Sequence, residues 1–337
     1  MTSAAPSGAR SNPLRGVLSN PLRPVILTAA KSNAVRRLVT VAPPTRRIVD
    51  RFVAGTTRAD AMTVATQLLG SGRGVSIDHL GENTLDVGQA RAVVGEYCDL
   101  LADLGTLGGA TPETFTGAPA VEVSVKLTAL GLSLGTDGSK IALDHAREIC
   151  TAAQDAGAWV SIDAEDHTVT DDTLAIVRDL RADFPDVGAV VQAYLRRTEG
   201  DCRELVGPRS RVRLCKGAYD EPESVAYRDR AEVDASYLRC LQILMAGDGY
   251  PMVASHDPAF VTAVDPLAAV TGRGRGEFEH QMLFGIRDNE QQRLADAGRR
   301  VRVYVPYGSQ WYGYLMRRLA ERPSNLRFFV RSLLSRD

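Results

Sequence analysis

Residues 121–166 read VEVSVKLTALGLSLGTDGSKIALDHAREICTAAQDAGAWVSIDAED. The two ends of this stretch, VEVSVKLT (121–128) and WVSIDAED (159–166), are rich in β-branched residues and end in polar ones. Between them, ALDHAREICTAAQDAG carries apolar residues at helical spacing and ends at a glycine, Gly157, as helices often do. The stretch therefore predicts one strand–helix–strand unit with parallel strands.

The same pattern repeats along the chain. Helix-forming segments separate the apolar runs, and Pro185 ends one of these segments. The eight predicted strands are GVSIDHLGE (74–82), VEVSVKLT (121–128), WVSIDAED (159–166), GAVVQAYL (188–195), RVRLCKGAY (211–219), PMVASHD (251–257), EFEHQML (277–283) and RVRVYVPYG (300–308). Eight strand–helix units are typical of an α/β protein of the (β/α)8 barrel class. A doubly wound open sheet is the competing architecture, but the chain has no glycine-rich first turn of the required form.

Composition narrows the class of protein. The 337 residues carry a net charge of −1, so the chain has no overall positive charge that would favour binding to nucleic acid. The five cysteines form no CxxC pair, which fits a reducing compartment, and no apolar run reaches the ~20 residues of a membrane span. We therefore expect a cytoplasmic protein with a flexible N-terminal arm (1–22), an N-terminal helical segment (23–70) and a barrel (71–337).

Polar residues collect where the predicted strands end. In a (β/α)8 barrel these carboxyl ends form the mouth that holds the active site. A polar residue follows every strand, which favours an enzyme over a purely structural barrel. The residues are Asp78, His79, Glu82, Lys126, Asp163, Glu165, Gln192, Arg213, Lys216, Tyr219, Ser255, His256, Asp257, Gln281, Tyr304 and Tyr307.

Three kinds of function are compatible with such a mouth. A metal-dependent lyase or isomerase would use Asp163, Glu165, His256 and Asp257 as ligands or bases, although neither HxH nor HExxH is present and nearby cations compete with a metal. A non-catalytic barrel would bind a small amino acid as a sensor. An enzyme with an anionic redox cofactor is the third, and this one is favoured.

The cofactor hypothesis depends on RVRLCKGAY (211–219). Arg213 and Lys216 at the end of this strand, followed by Gly217, suit a pyrophosphate or an electron-rich ring, and Gln192 could hydrogen-bond the edge of a heterocycle. The alternative is that Arg213 and Lys216 pair with acidic residues of the mouth, Asp163 and Glu165, as a structural network. The two interpretations are compatible.

The segment YLMRRLAER (314–322) forms a helix directly after the eighth strand. Tyr314 lies one turn before Arg317 and Arg318, and Glu321 lies one turn after them, so the four share a face. Adjacent arginines usually form a solvated face. Beside the barrel mouth, however, such a pair is well shaped for bidentate capture of a carboxylate.

At this point the sequence resembles the proline dehydrogenase family. The matching motifs extend over about residues 70–330, and the resemblance is to the short, single-function bacterial form. The motifs are VSVKLTALG, IDAED, VVQAYLRR, RLCKGAYDE, ASHD, FEHQML, YVPYG and YLMRRLAER. The resemblance implies a distorted (β/α)8 TIM barrel that binds FAD at its mouth, with the last helix lying over the mouth as a lid.

The resemblance also implies roles for individual residues. It implies hydride transfer from L-proline to flavin N5, giving Δ1-pyrroline-5-carboxylate, with electrons passed to a quinone through at least transient membrane contact. Asp163 is expected to orient the catalytic site, and Arg213 to lie near N5. The residues expected to bind substrate are Lys126, Tyr219, Leu283, Tyr304, Tyr314, Arg317, Arg318 and Glu321, the last by holding one arginine of the pair. Those expected to contact FAD are Ala164, Gln192, Arg213, Lys216, Gly217, Ala218, Ser255 and His256.

Overall fold

The computed structural model describes residues 49–107 and 111–321, with side chains described as far as residue 318. The predicted arm (1–22) and most of the predicted helical segment (23–70) therefore lie outside the described residues. Within the described ranges, none of the helices combines the length and the apolar character needed to cross a membrane.

Eight parallel strands close into a barrel in chain order, with β8 pairing back onto β1. All eight predicted strands are confirmed, each within a few residues of its predicted bounds. The strands are β1 (Gly74–His79), β2 (Val121–Val125), β3 (Trp159–Ile162), β4 (Gly188–Gln192), β5 (Arg211–Cys215), β6 (Tyr250–Ala254), β7 (Glu279–Leu283) and β8 (Val301–Tyr307).

Helices alternate with these strands as the apolar spacing predicts. The predicted stops are confirmed as well, since α3 ends just before Gly157, which has a positive φ of 66°, and α4 ends just before Pro185. The helices are α1 (Arg58–Gly70), α2 (Val87–Gly105), α3 (Gly138–Asp155), α4 (Thr170–Asp183), α5 (Thr198–Glu204), α6 (Arg230–Ala246), α7 (Pro258–Thr271), α8 (Asp288–Asp296) and α9 (Trp311–Glu321).

The first and last helices explain why the barrel is distorted. In a regular barrel the helix after the last strand packs beside that strand. Here α1 packs against β1 and β8, and its Ala61, Ala65 and Leu68 join the main core. Helix α9 instead joins a separate cluster with Leu80, which follows β1, and Phe52. Because Leu80 follows the carboxyl end of β1, α9 lies at the mouth and the predicted lid helix is confirmed, while α1 occupies the regular position beside the barrel.

The barrel interior is charged as well as closely packed. Arg302 pairs with Glu279 at 2.8 Å, and Glu122 contacts both Arg211 and Arg213. All five side chains are nearly inaccessible to solvent. Buried charges are tolerated only when paired and hydrogen-bonded, so this network fixes the geometry of the barrel more than it adds to its stability. It also supports the charged groups of the mouth from below.

Candidate active site

Lys126 lies at the centre of the mouth, just after β2. Its Nζ is 2.8 Å from both carboxylate oxygens of Asp78 and 3.3 Å from Oδ2 of Asp163. Although burial alone would lower it, the pKa of Lys126 is held well above its usual value, chiefly by Asp78. The mouth therefore contains a permanent cation fixed between two carboxylates.

Asp163 directly follows β3 and accepts hydrogen bonds from several neighbours. Tyr304 donates its hydroxyl hydrogen to Oδ2 at 2.8 Å, and Ser124 donates to Oδ1 at 2.7 Å. Burial alone would raise the pKa of this carboxyl, but Lys126 and Arg213 hold it below the usual value. Asp163 is therefore a carboxylate anion that orients the groups around it.

Arg213 is held by all three of its guanidinium nitrogens. Nε donates to Gln281 Oε1 at 2.5 Å, and Nη1 donates to Asp163 Oδ1 at 2.8 Å. Nη2 donates to Glu122 Oε1 at 2.6 Å, and the guanidinium carbon lies 5.4 Å from the centre of the Tyr304 ring. A guanidinium with this many fixed partners cannot swing, so its charge has one position in the mouth.

Lys216 does not pair as the structural interpretation predicted. Its Nζ lies 2.6 Å from Asp234 Oδ1 on α6 and 3.4 Å from Asp257 Oδ2, rather than beside Asp163 or Glu165. That part of the interpretation is wrong, because β5 directs Lys216 toward α6 and the start of α7. The pairing of Arg213 with Asp163 is confirmed.

Gly217 has a neighbour that the sequence did not indicate. Its φ is +112°, and a Cβ at this position would lie 2.2 Å from the Tyr194 ring. The glycine is therefore required by the close approach of Tyr194 from the loop after β4. Ala218 follows directly. Residues 216–218 form a short backbone strip after β5, the strand that lies between β4 and β6 in the barrel.

Two further groups border this side of the mouth. His256 Nε2 accepts a hydrogen bond from the backbone N–H of Leu283 at 2.8 Å, so the ring is neutral and carries its proton on Nδ1. Ser255 accepts from the backbone N–H of Asp257 at 3.1 Å. These hydrogen bonds fix His256 and Ser255 next to residues 216–218, the expected cofactor contacts.

Gln192 and Glu165 connect the ends of β3 and β4. The Gln192 amide donates to the backbone carbonyl of Glu165 at 2.8 Å, which fixes the segment that begins at Ala164. The Glu165 carboxyl is buried and accepts from both the backbone N–H and the hydroxyl of Thr128. Burial raises the pKa of Glu165 to about 7.

Helix α9 places Arg317 at this mouth and buries Arg318 beside it. Arg317 Nη2 donates to Glu82 Oε1 at 2.6 Å, and its guanidinium carbon lies 5.4 Å from the centre of the Tyr219 ring. Arg318 is buried and lies 5.1 Å from the ring of Tyr314, one turn earlier. The arginine pair is therefore not a solvated face.

One expected partner of the arginines lies outside the described side chains, and a different carboxylate holds Arg317. The side chain of Glu321 lies outside the described side chains, so its predicted grip on an arginine stays a prediction. The carboxylate that does hold Arg317 is Glu82, which the sequence placed at the mouth without a role. Ser124 and Glu122 were missed altogether. Their inward alternation on β2 with Lys126 was the available signal.

The carboxylates needed for the metal hypothesis are otherwise engaged. Asp163 is bound to Arg213 and Lys126, and Asp257 caps α7 and faces Lys216. Across residues 49–107 and 111–321, no group of three or more His, Cys, Asp or Glu side chains is arranged to hold a metal ion.

Comparison with known proteins points to one family. The family model described as proline dehydrogenase matches residues 61–331. Proline dehydrogenase of Deinococcus radiodurans is 37% identical over 318 residues, which cover 93% of this chain and 97% of that protein. Proline dehydrogenase 1 of Bacillus subtilis (strain 168) is 36% identical over 292 residues, covering 87% and 92%.

A solved structure supports the same assignment. Proline utilization A (PutA) from Bdellovibrio bacteriovorus, inactivated by N-propargylglycine, superposes with a TM-score of 0.75 at 26% identity. The match covers 88% of this chain but only 38% of that longer protein. Taken with the family match over most of its length, these similarities show that the chain belongs to the proline dehydrogenase family, enzymes that oxidise proline in its catabolism.

Proposed function

We propose that this enzyme oxidises L-proline to Δ1-pyrroline-5-carboxylate with FAD as its cofactor, and that a quinone accepts the electrons. The observation that carries the proposal is the position of α9, which holds Arg317 against Glu82 at a mouth that also contains Lys126, Asp163 and Arg213. Each of these cations is fixed against a carboxylate, so its charge has a defined position for a small anionic substrate.

The residues around the strip 216–218 fit a flavin dinucleotide, the kind of cofactor on which the family generally depends. The ammonium group of Lys216 suits a pyrophosphate, and the ring of His256 is fixed nearby by the backbone N–H of Leu283. The proposed contacts are Ala164, Gln192, Arg213, Lys216, Gly217, Ala218, Ser255 and His256. When bound, the flavin supplies a hydride acceptor at N5.

The arginine pair positions the substrate in this proposal. Arg317 and Arg318 bind the proline carboxylate, and Lys126 adds positive charge from the floor of the mouth. A bidentate guanidinium fixes both the position and the rotation of a carboxylate. Tyr219, Leu283, Tyr304, Tyr314 and Glu321 are proposed to complete the pocket around the pyrrolidine ring and the arginines.

Asp163 and Arg213 are the proposed catalytic residues. Asp163 remains an anion because Lys126 and Arg213 lower its pKa, and it accepts the hydroxyl hydrogen of Tyr304, which fixes that ring beside the proposed substrate. The immobile charge of Arg213 favours an electron-rich ring near it. The nearby cations also favour the neutral form of the substrate amine, which is the form able to give up a hydride.

The wider setting is proposed from the same resemblance. Residues 71–337 would form the FAD-binding unit, preceded by the helical segment 23–70 and the arm 1–22. Electron transfer to a quinone would require this cytoplasmic enzyme to touch the inner face of the cell membrane as a peripheral protein.

A flavin absorption spectrum before and after L-proline tests the proposal. We expect a yellow protein whose visible band bleaches on addition of L-proline. Arg317→Met and Arg318→Met should each weaken proline binding at least tenfold with flavin retained, whereas Arg293→Met, on the exposed face of α8, should change neither property. Protein that cannot be reconstituted with FAD would refute the cofactor, and normal proline affinity in both variants would refute the clamp.

A further inference from the structure

Glu221 is a buried carboxylate in the segment after β5, and the proposed function gives it no role. Only 4% of its surface is exposed. Oε1 accepts from the backbone N–H of His167 at 3.0 Å and from the hydroxyl of Tyr194 at 3.2 Å. Oε2 is bound to Nδ1 of the His167 ring. One carboxylate thus joins the segments that follow β3, β4 and β5.

Tyr194 carries this connection to the backbone strip 216–218. Its backbone N–H donates to the carbonyl of Lys216 at 2.9 Å, and its ring lies directly against Gly217. A Cβ on Gly217 would lie 2.2 Å from that ring, so the strip and the ring cannot move independently. The position of the phenol therefore sets the position of the strip.

The donors around Glu221 are arranged to keep the carboxylate in place. Burial and the neighbouring Glu221 raise the pKa of Tyr194 far above its usual value, so its hydroxyl keeps the proton that it donates. A buried carboxylate that loses a donor is strongly destabilised, because no water replaces the lost hydrogen bond. The three segments are consequently coupled: displacing one of them leaves Glu221 under-bonded.

We propose that Glu221, with His167 and Tyr194, is a positioning residue that holds the strip 216–218 and the segment beginning at Ala164 in register for the flavin. Both elements are proposed flavin contacts and are joined by this three-residue cluster, so the inference rests on the proposed function. Glu221 itself touches neither flavin nor proline. It acts through Tyr194 and through its own backbone, two residues after Tyr219.

The affinity of the flavin-free protein for FAD tests this role. Titration with FAD, followed by flavin fluorescence quenching, should give a dissociation constant raised tenfold to a hundredfold in Glu221→Ala, since charge-assisted buried hydrogen bonds are lost. Tyr194→Phe, which keeps the ring against Gly217 and removes one hydrogen bond, should raise it about threefold to tenfold.

Substitution of His167 separates positioning from general loosening. His167→Ala should weaken FAD binding about tenfold, whereas His167→Asn, which places an amide N–H near the position of Nδ1, should restore most of the affinity. The matched control is Asp220→Asn, because Asp220 is adjacent but exposed and pairs with Arg228 at the surface. It should bind FAD as the unmodified protein does.

Each outcome decides between the possibilities. Normal FAD affinity in Tyr194→Phe and His167→Ala overturns the inference, even if Glu221→Ala fails to fold. Equal weakening in His167→Ala and His167→Asn also overturns it, because loss of packing rather than loss of the donor would then be responsible. If the unmodified protein itself does not bind FAD, the proposed function fails instead.

Discussion

Glu165→Gln should remove a pH dependence of stability that the buried carboxyl creates. The pKa of Glu165 rises from 4.5 to about 7, mainly because burial disfavours the anion. The unfolded chain ionises this group above pH 4.5 while the folded protein resists ionisation until about pH 7. Stability from this group is therefore complete below pH 4.5 and is lost as the pH rises through 7.

The expected magnitude follows from the two pKa values. Their difference corresponds to about 3 kcal/mol of unfolding free energy, lost between pH 4.5 and 7 and constant above that range. Glutamine cannot ionise, yet its carbonyl can accept from the Thr128 N–H and its amide can donate to the Thr128 hydroxyl. The variant should lack this loss while keeping the local hydrogen bonds.

Urea unfolding followed by circular dichroism at pH 5, 6, 7 and 8 measures the effect. The difference in unfolding free energy between Glu165→Gln and the unmodified protein should grow by about 2–3 kcal/mol in favour of the variant over this range. For Glu113→Gln, at an exposed position, the difference in unfolding free energy from the unmodified protein should be the same at every pH. A difference that does not change with pH for Glu165→Gln as well would refute the assignment of a raised pKa.

Three further changes have expected outcomes. Gly217→Ala should destabilise the protein by about 2–4 kcal/mol in urea unfolding, because the methyl group meets the Tyr194 ring and the backbone has a positive φ; an unchanged midpoint would contradict the observed packing. Glu82→Gln should weaken proline binding about tenfold with flavin content unchanged, since Arg317 loses the carboxylate that orients it; unaltered affinity in a proline titration would exclude that orienting role. His280 is buried, and burial lowers its pKa to about 4. As the pH falls from 6.5 to 4, the unmodified protein should therefore lose about 2–3 kcal/mol of unfolding free energy through this group. His280→Leu should lack this loss, as measured by urea midpoints at each pH, and an equal loss in both proteins would contradict the lowered pKa.

The barrel and the position of its mouth were predictable because they depend on local pattern. Apolar β-branched runs alternate with helical spacing eight times, and closure in chain order follows from the short right-handed connections of such units. The placement of Lys126, Asp163 and Arg213 at the mouth follows from the same pattern. Position along a strand determines height in the barrel.

The partners of these residues were not predictable in the same way. The alternative interpretation placed Lys216 near Asp163 or Glu165, but it pairs with Asp234 and Asp257, because the direction of its side chain depends on how β5 packs against α6. The displacement of α9 depends on α1 occupying the space beside β8, which involves segments at opposite ends of the chain.

The sequence by itself therefore determined the fold class, the mouth and the arginine-bearing helix that follows the last strand. Only the tertiary structure decided that Glu82 holds Arg317, and that Glu221 joins His167 to Tyr194. Periodicity is a property of neighbouring residues and can be read locally. The pairing of buried charges is decided by which side chains meet when the barrel closes, because each must find a partner once water is excluded.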